Sequence, residues 1–276
     1  MSTAATPTRS QAQLNESAAV DSSAMALLEV CELGKSFGET CALASCTLAT
    51  DRTQVHAVLG ENGSGKSTLV KILSGVIAPD GGELRIAGVR VTQFSPAAAR
   101  DAGVAPVLQE VLVAPNRTVV DNVFLGYDGF VRRSLSRADR RERAHAALAR
   151  ITHTPPHLDA FVGDLALSQC QLVTIARALV RNPGILILDE ATSALDIDDR
   201  QVLFEAIREL VADGCLVIFI SHRLEEVMEI SDLVTVLRNG TSIDTLRRGE
   251  FDVHHLLRLM SPLGAERLER AREVDV

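Results

Sequence analysis

The chain has 276 residues, 46% of them hydrophobic, enough for one large domain with a substantial core. Its formal net charge of −8 works against nucleic acid as the main partner, because binding to phosphate backbones needs clustered positive charge. No run of about twenty apolar residues offers a membrane span, and the cysteines Cys31, Cys41, Cys46, Cys170 and Cys215 lack paired metal spacing, so they read as reduced side chains of a cytosolic protein.

In chain order, residues 1–26 are rich in Ala, Ser, Thr and Gln without periodicity and read as a disordered leader, with no signal-peptide pattern. Order is expected to begin with a short strand at 27–30. Strands follow at 55–59, 83–86 and 104–108. The runs at 185–188 and 216–220 are continuously apolar, which suits parallel strands buried on both faces. Between them, Val202, Ile207 and Val211 set a helical spacing over 198–212, so the segment is a βαβ unit. Residues 110–164 carry mostly helical patterns, such as 137–151, and no strong buried strand, which predicts a helical insertion into the sheet. The run Arg140-Arg141-Glu142-Arg143 reads as a solvated helix face of mixed charge. After about residue 250 a tail is expected, with a charged end at 266–276.

The chemistry begins at Gly60-Glu61-Asn62-Gly63-Ser64-Gly65-Lys66-Ser67, an ungapped G-x-x-x-x-G-K-S/T loop after an apolar strand and at the start of a helix. Its glycines let successive backbone N–H groups turn toward phosphate oxygens, and the helix N-terminus favours the anion. Lys66 can reach the β- and γ-phosphates, and the Ser67 hydroxyl can ligate Mg²⁺. A second element follows the strand at 185–188. Asp189 at its end is placed to hold Mg²⁺ through water, and Glu190 to act as general base toward a water molecule. Alone, that acidic pair could equally cap the next helix.

Taken together, residues 60–68, Asp189-Glu190-Ala191-Thr192-Ser193-Ala194-Leu195-Asp196 and Ile220-Ser221-His222-Arg223 resemble the nucleotide-binding domains of ABC transporters, in the family's order and spacing across about residues 27–250. The resemblance implies a P-loop α/β core with a parallel-rich sheet, a small N-terminal antiparallel β part and a helical subdomain at about 110–180. It implies ATP and Mg²⁺ as ligands, with residues 60–68, Thr68 included, on the nucleotide, and Phe37 stacked on adenine. Gln109 becomes the glutamine that senses Mg²⁺ and the γ-phosphate, His222 the switch histidine, and Asp196 an aspartate at a dimer interface. It also implies coupling to a permease near residues 110–128, through an exposed apolar or mixed patch.

Finer resemblance, in Lys71-Ile72-Leu73-Ser74-Gly75, Asp121-Asn122-Val123-Phe124-Leu125-Gly126 and Leu224-Glu225-Glu226-Val227, is to the N-terminal cassette of monosaccharide-import ATPases, which normally fuse two cassettes in one chain. The implied function is an ATP-hydrolysing subunit at the cytoplasmic membrane face, driving solute import through permease subunits, with a solute-binding protein and a second cassette as further partners and no nucleic acid. The alternatives are a soluble relative acting on nucleic acid or ribosomes, and a regulatory subunit with weak turnover.

One departure bears on turnover. The family signature Leu-Ser-Gly-Gly-Gln falls, without a gap, on Leu165-Ala166-Leu167-Ser168-Gln169; a gapped reading starts it at Leu167-Ser168. Either way it is degenerate, which favours pairing with a cassette that has an intact signature.

Overall fold

An antiparallel hairpin opens the described chain. β1 (Leu28–Phe37) turns through Gly38, whose φ of 58° is left-handed, into β2 (Thr40–Thr50). On the other edge of β1 lies β4 (Gly81–Ile86), followed by the short β5 (Val89–Arg90). A second block holds β3 (Val55–Leu59), β6 (Val104–Val107), β7 (Ile185–Asp189), β8 (Leu216–Ile220), β9 (Leu233–Arg238) and β10 (Thr241–Arg247). In this computed structural model, which describes residues 27–50, 54–127 and 135–261, these form one sheet in the order β5-β4-β1-β2-β10-β9-β3-β8-β7-β6. The block β9-β3-β8-β7-β6 is parallel, and Thr241↔Ser45 joins the two blocks.

Helices cover both faces of the parallel block. α1 (Lys66–Leu73) and α2 (Pro96–Asp101) flank one side; α3 (Val119–Val123), α4 (Arg137–Ala149), α5 (Leu167–Leu179) and α6 (Ile197–Ala212) build the other. α7 (Leu224–Ile230) and α8 (Val253–Met260) pack at the β9 end. The apolar runs of β7 and β8 are explained by side-chain alternation. Leu186, Leu188, Val217 and Phe219 face Val173, Phe204 and Ile207, whereas Ile185, Ile187, Ile218 and Ile220 face Leu69 and Ile72. Each such side chain contributes about 1.5–3 kcal/mol by leaving water.

Several expectations need correction. The first strand runs to Phe37 rather than stopping at residue 30, because its outer half pairs with β2. β2 belongs to the expected N-terminal antiparallel part but was not located: Thr40–Thr50 is mostly Thr, Ala, Ser and Cys, with Leu43 and Leu48 its long apolar side chains. β9 and β10 were missed as well. The expected tail from 251 begins with packed structure: Phe251, Leu256 and Met260 are buried against Val234 and Val236. The leader at 1–26 and the charged end at 266–276 lie outside the described residues.

Candidate active site

Register builds the site. Val58 pairs with Ile220, Ile220 with Asp189, and Leu188 with Val107, so β3, β8, β7 and β6 end side by side. The residues that follow these ends are Gly60, Ser221-His222, Glu190 and Gln109. Four sequence-distant segments therefore meet along the carboxyl edge of a parallel sheet, where such folds bind ligands.

The loop after β3 is shaped to leave its backbone exposed. A Cβ at Gly60 would collide with the Leu237 carbonyl oxygen and Ser64 Oγ. At Gly65, φ is 106° and a Cβ would lie 2.7 Å from the Ala42 carbonyl oxygen. Glu61, Asn62, Gly63 and Ser67 are exposed, Thr68 is half-buried, and Ser64 Oγ is buried without a hydrogen-bond partner. Lys66 is buried and folds back on its own loop, donating to the carbonyl oxygens of Gly60 (2.6 Å) and Glu61 (2.9 Å). Burial lowers its pKa, against the opposing charges of Glu190 and Asp189.

Asp189 is 6% exposed. Burial and then the neighbouring Glu190 charge push its pKa up to about 6, against Lys66 and Lys71. Glu190 takes a left-handed φ of 49°, an unfavourable conformation held by its N–H to the Ile220 carbonyl oxygen (2.9 Å). Gln109 Nε2 donates to Glu190 Oε2 and His222 Nδ1 to Oε1, each at 3.0 Å. Gln109, Glu190 and His222 thus form one cluster, with both carboxylate oxygens engaged.

The loop and acidic pair fit a metal–nucleotide ligand on two observations: an orphaned hydroxyl inside a loop whose Gly60 and Gly65 leave no room for a Cβ, and a buried Asp189 carboxylate beside the half-buried Glu190, whose charge helps to raise the Asp189 pKa.

Other expected residues lie further out. Phe37 is half-exposed at the hairpin tip, 5.7 Å from Lys35 Nζ, on the hairpin whose Ala42 and Leu43 abut Gly65. Asp196 caps α6, accepting the Asp199 N–H (2.8 Å). α5 begins at Leu167 with Ala166 at its N-cap, a position that favours serine; Ala166 N–H donates to Gln169 Oε1 (3.4 Å). Leu167 is 63% exposed. Leu112 and Leu125 are exposed within 110–128, beside a cleft of about 240 Å³ lined by Ser74, Arg100, Arg177 and Arg181. Arg141 pairs with Asp159, and Arg140 lies over the Phe124 ring, so that arginine run is committed to its own subdomain. Sequence reasoning assigned no role to Glu226, although it stands within Leu224-Glu225-Glu226-Val227. It is buried, and it accepts from both Thr192 Oγ1 and Ser221 Oγ at 2.9 Å.

A sequence profile described as ABC transporter matches residues 43–193. The chain belongs to the ABC transporter family. It is 40% identical over 238 residues to a ribose import ATP-binding protein of Mesorhizobium japonicum and 42% identical over 245 residues to one of Burkholderia ambifaria. These alignments cover 86% and 85% of this chain and 46% of each relative, so the chain spans about half the length of the curated relatives it matches. Among solved structures it is similar to an ATP-binding cassette of an ABC transporter in its ADP conformation (TM-score 0.72, 27% identity, 88% of this chain and 98% of that one). It also resembles a dimeric bacterial ABC transporter cassette in fold (TM-score 0.75, 24% identity, 81% and 100%). Among the described residues no helix is long and apolar enough to cross a membrane.

Proposed function

We propose that this ABC cassette binds Mg·ATP on the loop at residues 60–68 and hydrolyses it to drive import of a solute, a sugar, through separate permease subunits. The observation that carries the reading is the gathering of Gln109, Glu190 and His222 beside that loop. The loop N–H groups and Lys66, released from the Gly60 and Glu61 carbonyls, hold the β- and γ-phosphates. Phe37 receives the adenine. Ser67, Gln109 and Asp189 would hold Mg²⁺, which would neutralise charge on the phosphoryl oxygens. Glu190 accepts the proton of the attacking water, and His222 and Gln109 fix its carboxylate for that transfer.

The solute assignment rests on the relatives' names, ribose import and, for one of Agrobacterium fabrum, putative ribose/galactose/methyl galactoside import. The cytoplasmic membrane face and a solute-binding protein follow from the same reading. The exposed Leu112 and Leu125 beside the arginine-lined cleft suit a permease segment. A second cassette completes the site, and Ala166 without a hydroxyl favours a heterodimer whose partner has an intact signature. The same residue supports the second reading, a nucleotide-binding subunit with weak turnover.

Lys66→Ala tests the nucleotide assignment. It removes a charge-assisted contact of about 1.5–3 kcal/mol, so affinity or turnover should fall about ten- to hundredfold. Equal affinity and rate in parent and variant would overturn the assignment.

A further inference from the structure

We infer that Glu226 is a positioning residue that ties the turn after Glu190 to the turn bearing His222, and so keeps the hydrolytic cluster assembled. The inference rests on the proposed roles of Glu190 and His222.

Glu226 sits in the first turn of α7 and is 2% exposed. Its Oε2 accepts from Thr192 Oγ1 and Ser221 Oγ, both at 2.9 Å. Thr192 lies two residues after Glu190, and Ser221 directly precedes His222. One oxygen therefore joins the shoulders of the base and of the histidine that contacts it. Ser221 Oγ also accepts the Arg223 N–H (3.0 Å), which sets the turn from which the His222 side chain projects. Oε1 faces Arg223 Nη1 at 3.3 Å and Arg200 Nη1 at 3.8 Å. Arg200 belongs to the first turn of α6, one turn beyond its Asp196 cap. Three segments that no strand pairing joins after the sheet ends thus converge on a single carboxylate: the β7–α6 turn, the start of α6 and the β8–α7 turn.

Chemistry favours carboxylate here. Four donors approach the side chain, two hydroxyls on one oxygen and two guanidinium groups on the other. A carboxylate offers lone pairs on both sides, whereas an amide must turn its NH₂ toward one set of donors. An ionised group this buried is expensive unless it is paired, and the two arginines supply that pairing. Packing alone would be met by an apolar side chain at lower desolvation cost.

The test compares the 276-residue chain with its Glu226→Gln variant by backbone hydrogen exchange and by steady-state turnover normalised to nucleotide-binding stoichiometry. Amides in 190–193 and 221–224 should exchange about tenfold faster in the variant, while those of β3 keep parental protection. Turnover per bound nucleotide should fall about tenfold with KM for Mg·ATP within about twofold. Thr192→Val and Ser221→Ala should each loosen mainly the segment whose hydroxyl is removed. Unchanged exchange in either segment overturns the inference. So does faster exchange that includes β3, which marks general destabilisation, or local loosening with parental kcat. A parent that binds but never hydrolyses ATP would refute the reading of Glu190 and His222, and the exchange pattern would still decide whether Glu226 joins the two turns.

Discussion

Restoring a serine at the start of α5 is the change whose consequence is most fully determined by the geometry. Ala166 holds the N-cap with extended backbone (φ −64°, ψ 156°) and no side-chain acceptor. Serine fits that conformation and can accept the N–H of Gln169, worth about 1 kcal/mol over alanine. Ala166→Ser should therefore raise folding stability slightly in the isolated chain. Leu167→Gly moves the other way, costing up to about 1 kcal/mol of helix stability, and it removes a side chain that is 63% exposed at the helix entrance. Ser168→Gly, also inside α5, costs about 0.5 kcal/mol more, so the triple variant Ala166→Ser, Leu167→Gly, Ser168→Gly should fold within about 1 kcal/mol of the parent, on the less stable side. Its functional gain is a hydrogen bond to phosphate charge, about 1.5–3 kcal/mol, or about ten- to hundredfold in rate where the bond forms in the transition state. The assay is ATP hydrolysis by the chain alone, at concentrations where two cassettes associate. A parent as fast as the triple variant would refute the reasoning, and with it the preference for a partner with an intact signature.

Two further outcomes are expected. His56, buried in β3, donates or accepts one hydrogen bond with Thr235 Oγ1 (2.7 Å), and burial pushes its pKa down to about 4. The folded state therefore resists a proton that the unfolded chain accepts near pH 6.5, so stability is full above that value and falls as pH drops toward 4. Between pH 7 and 5, urea denaturation should show the parent losing about 2 kcal/mol more than His56→Gln, and parallel losses would contradict this. Leu112→Glu with Leu125→Glu should leave basal ATP hydrolysis near parental while reducing ATP-driven uptake with the permease at least about tenfold; undiminished uptake would remove this patch from the coupling surface.

What could be read from the sequence was what is local. Gly60 to Ser67 declare themselves because the phosphate loop needs its residues at fixed offsets, and Asp189-Glu190 follow a run whose double burial is visible as unbroken apolar character. Gln109 and His222 could be placed only by their order relative to those two, since no spacing reveals that β6 and β8 end beside β7. The joint contact of both with Glu190 comes from strand register, as does the hold of Ile220 on the left-handed Glu190 backbone. The bond that links Thr192 to Glu226 escaped notice for the same reason: hydroxyl and carboxylate 34 residues apart leave no pattern in the chain, although both residues stand in recognised motifs. His56 reads as an ordinary strand residue until its neighbours are known. β2 was hidden by small side chains, and α8 by its brevity after Gly249, where two turns of helix suffice to cover β9.

The most direct measurement of the central claim uses Glu190→Gln. The amide preserves the volume of the side chain but cannot accept the proton of the attacking water. Nucleotide titration and turnover on the same preparation should show Mg·ATP affinity within a few-fold of the parent and a kcat at least about a hundredfold lower. ATP should then accumulate on an associated cassette pair. Hydrolysis at the parental rate would contradict the account, because the cluster that Gln109 and His222 build around Glu190 would then serve some purpose other than the base.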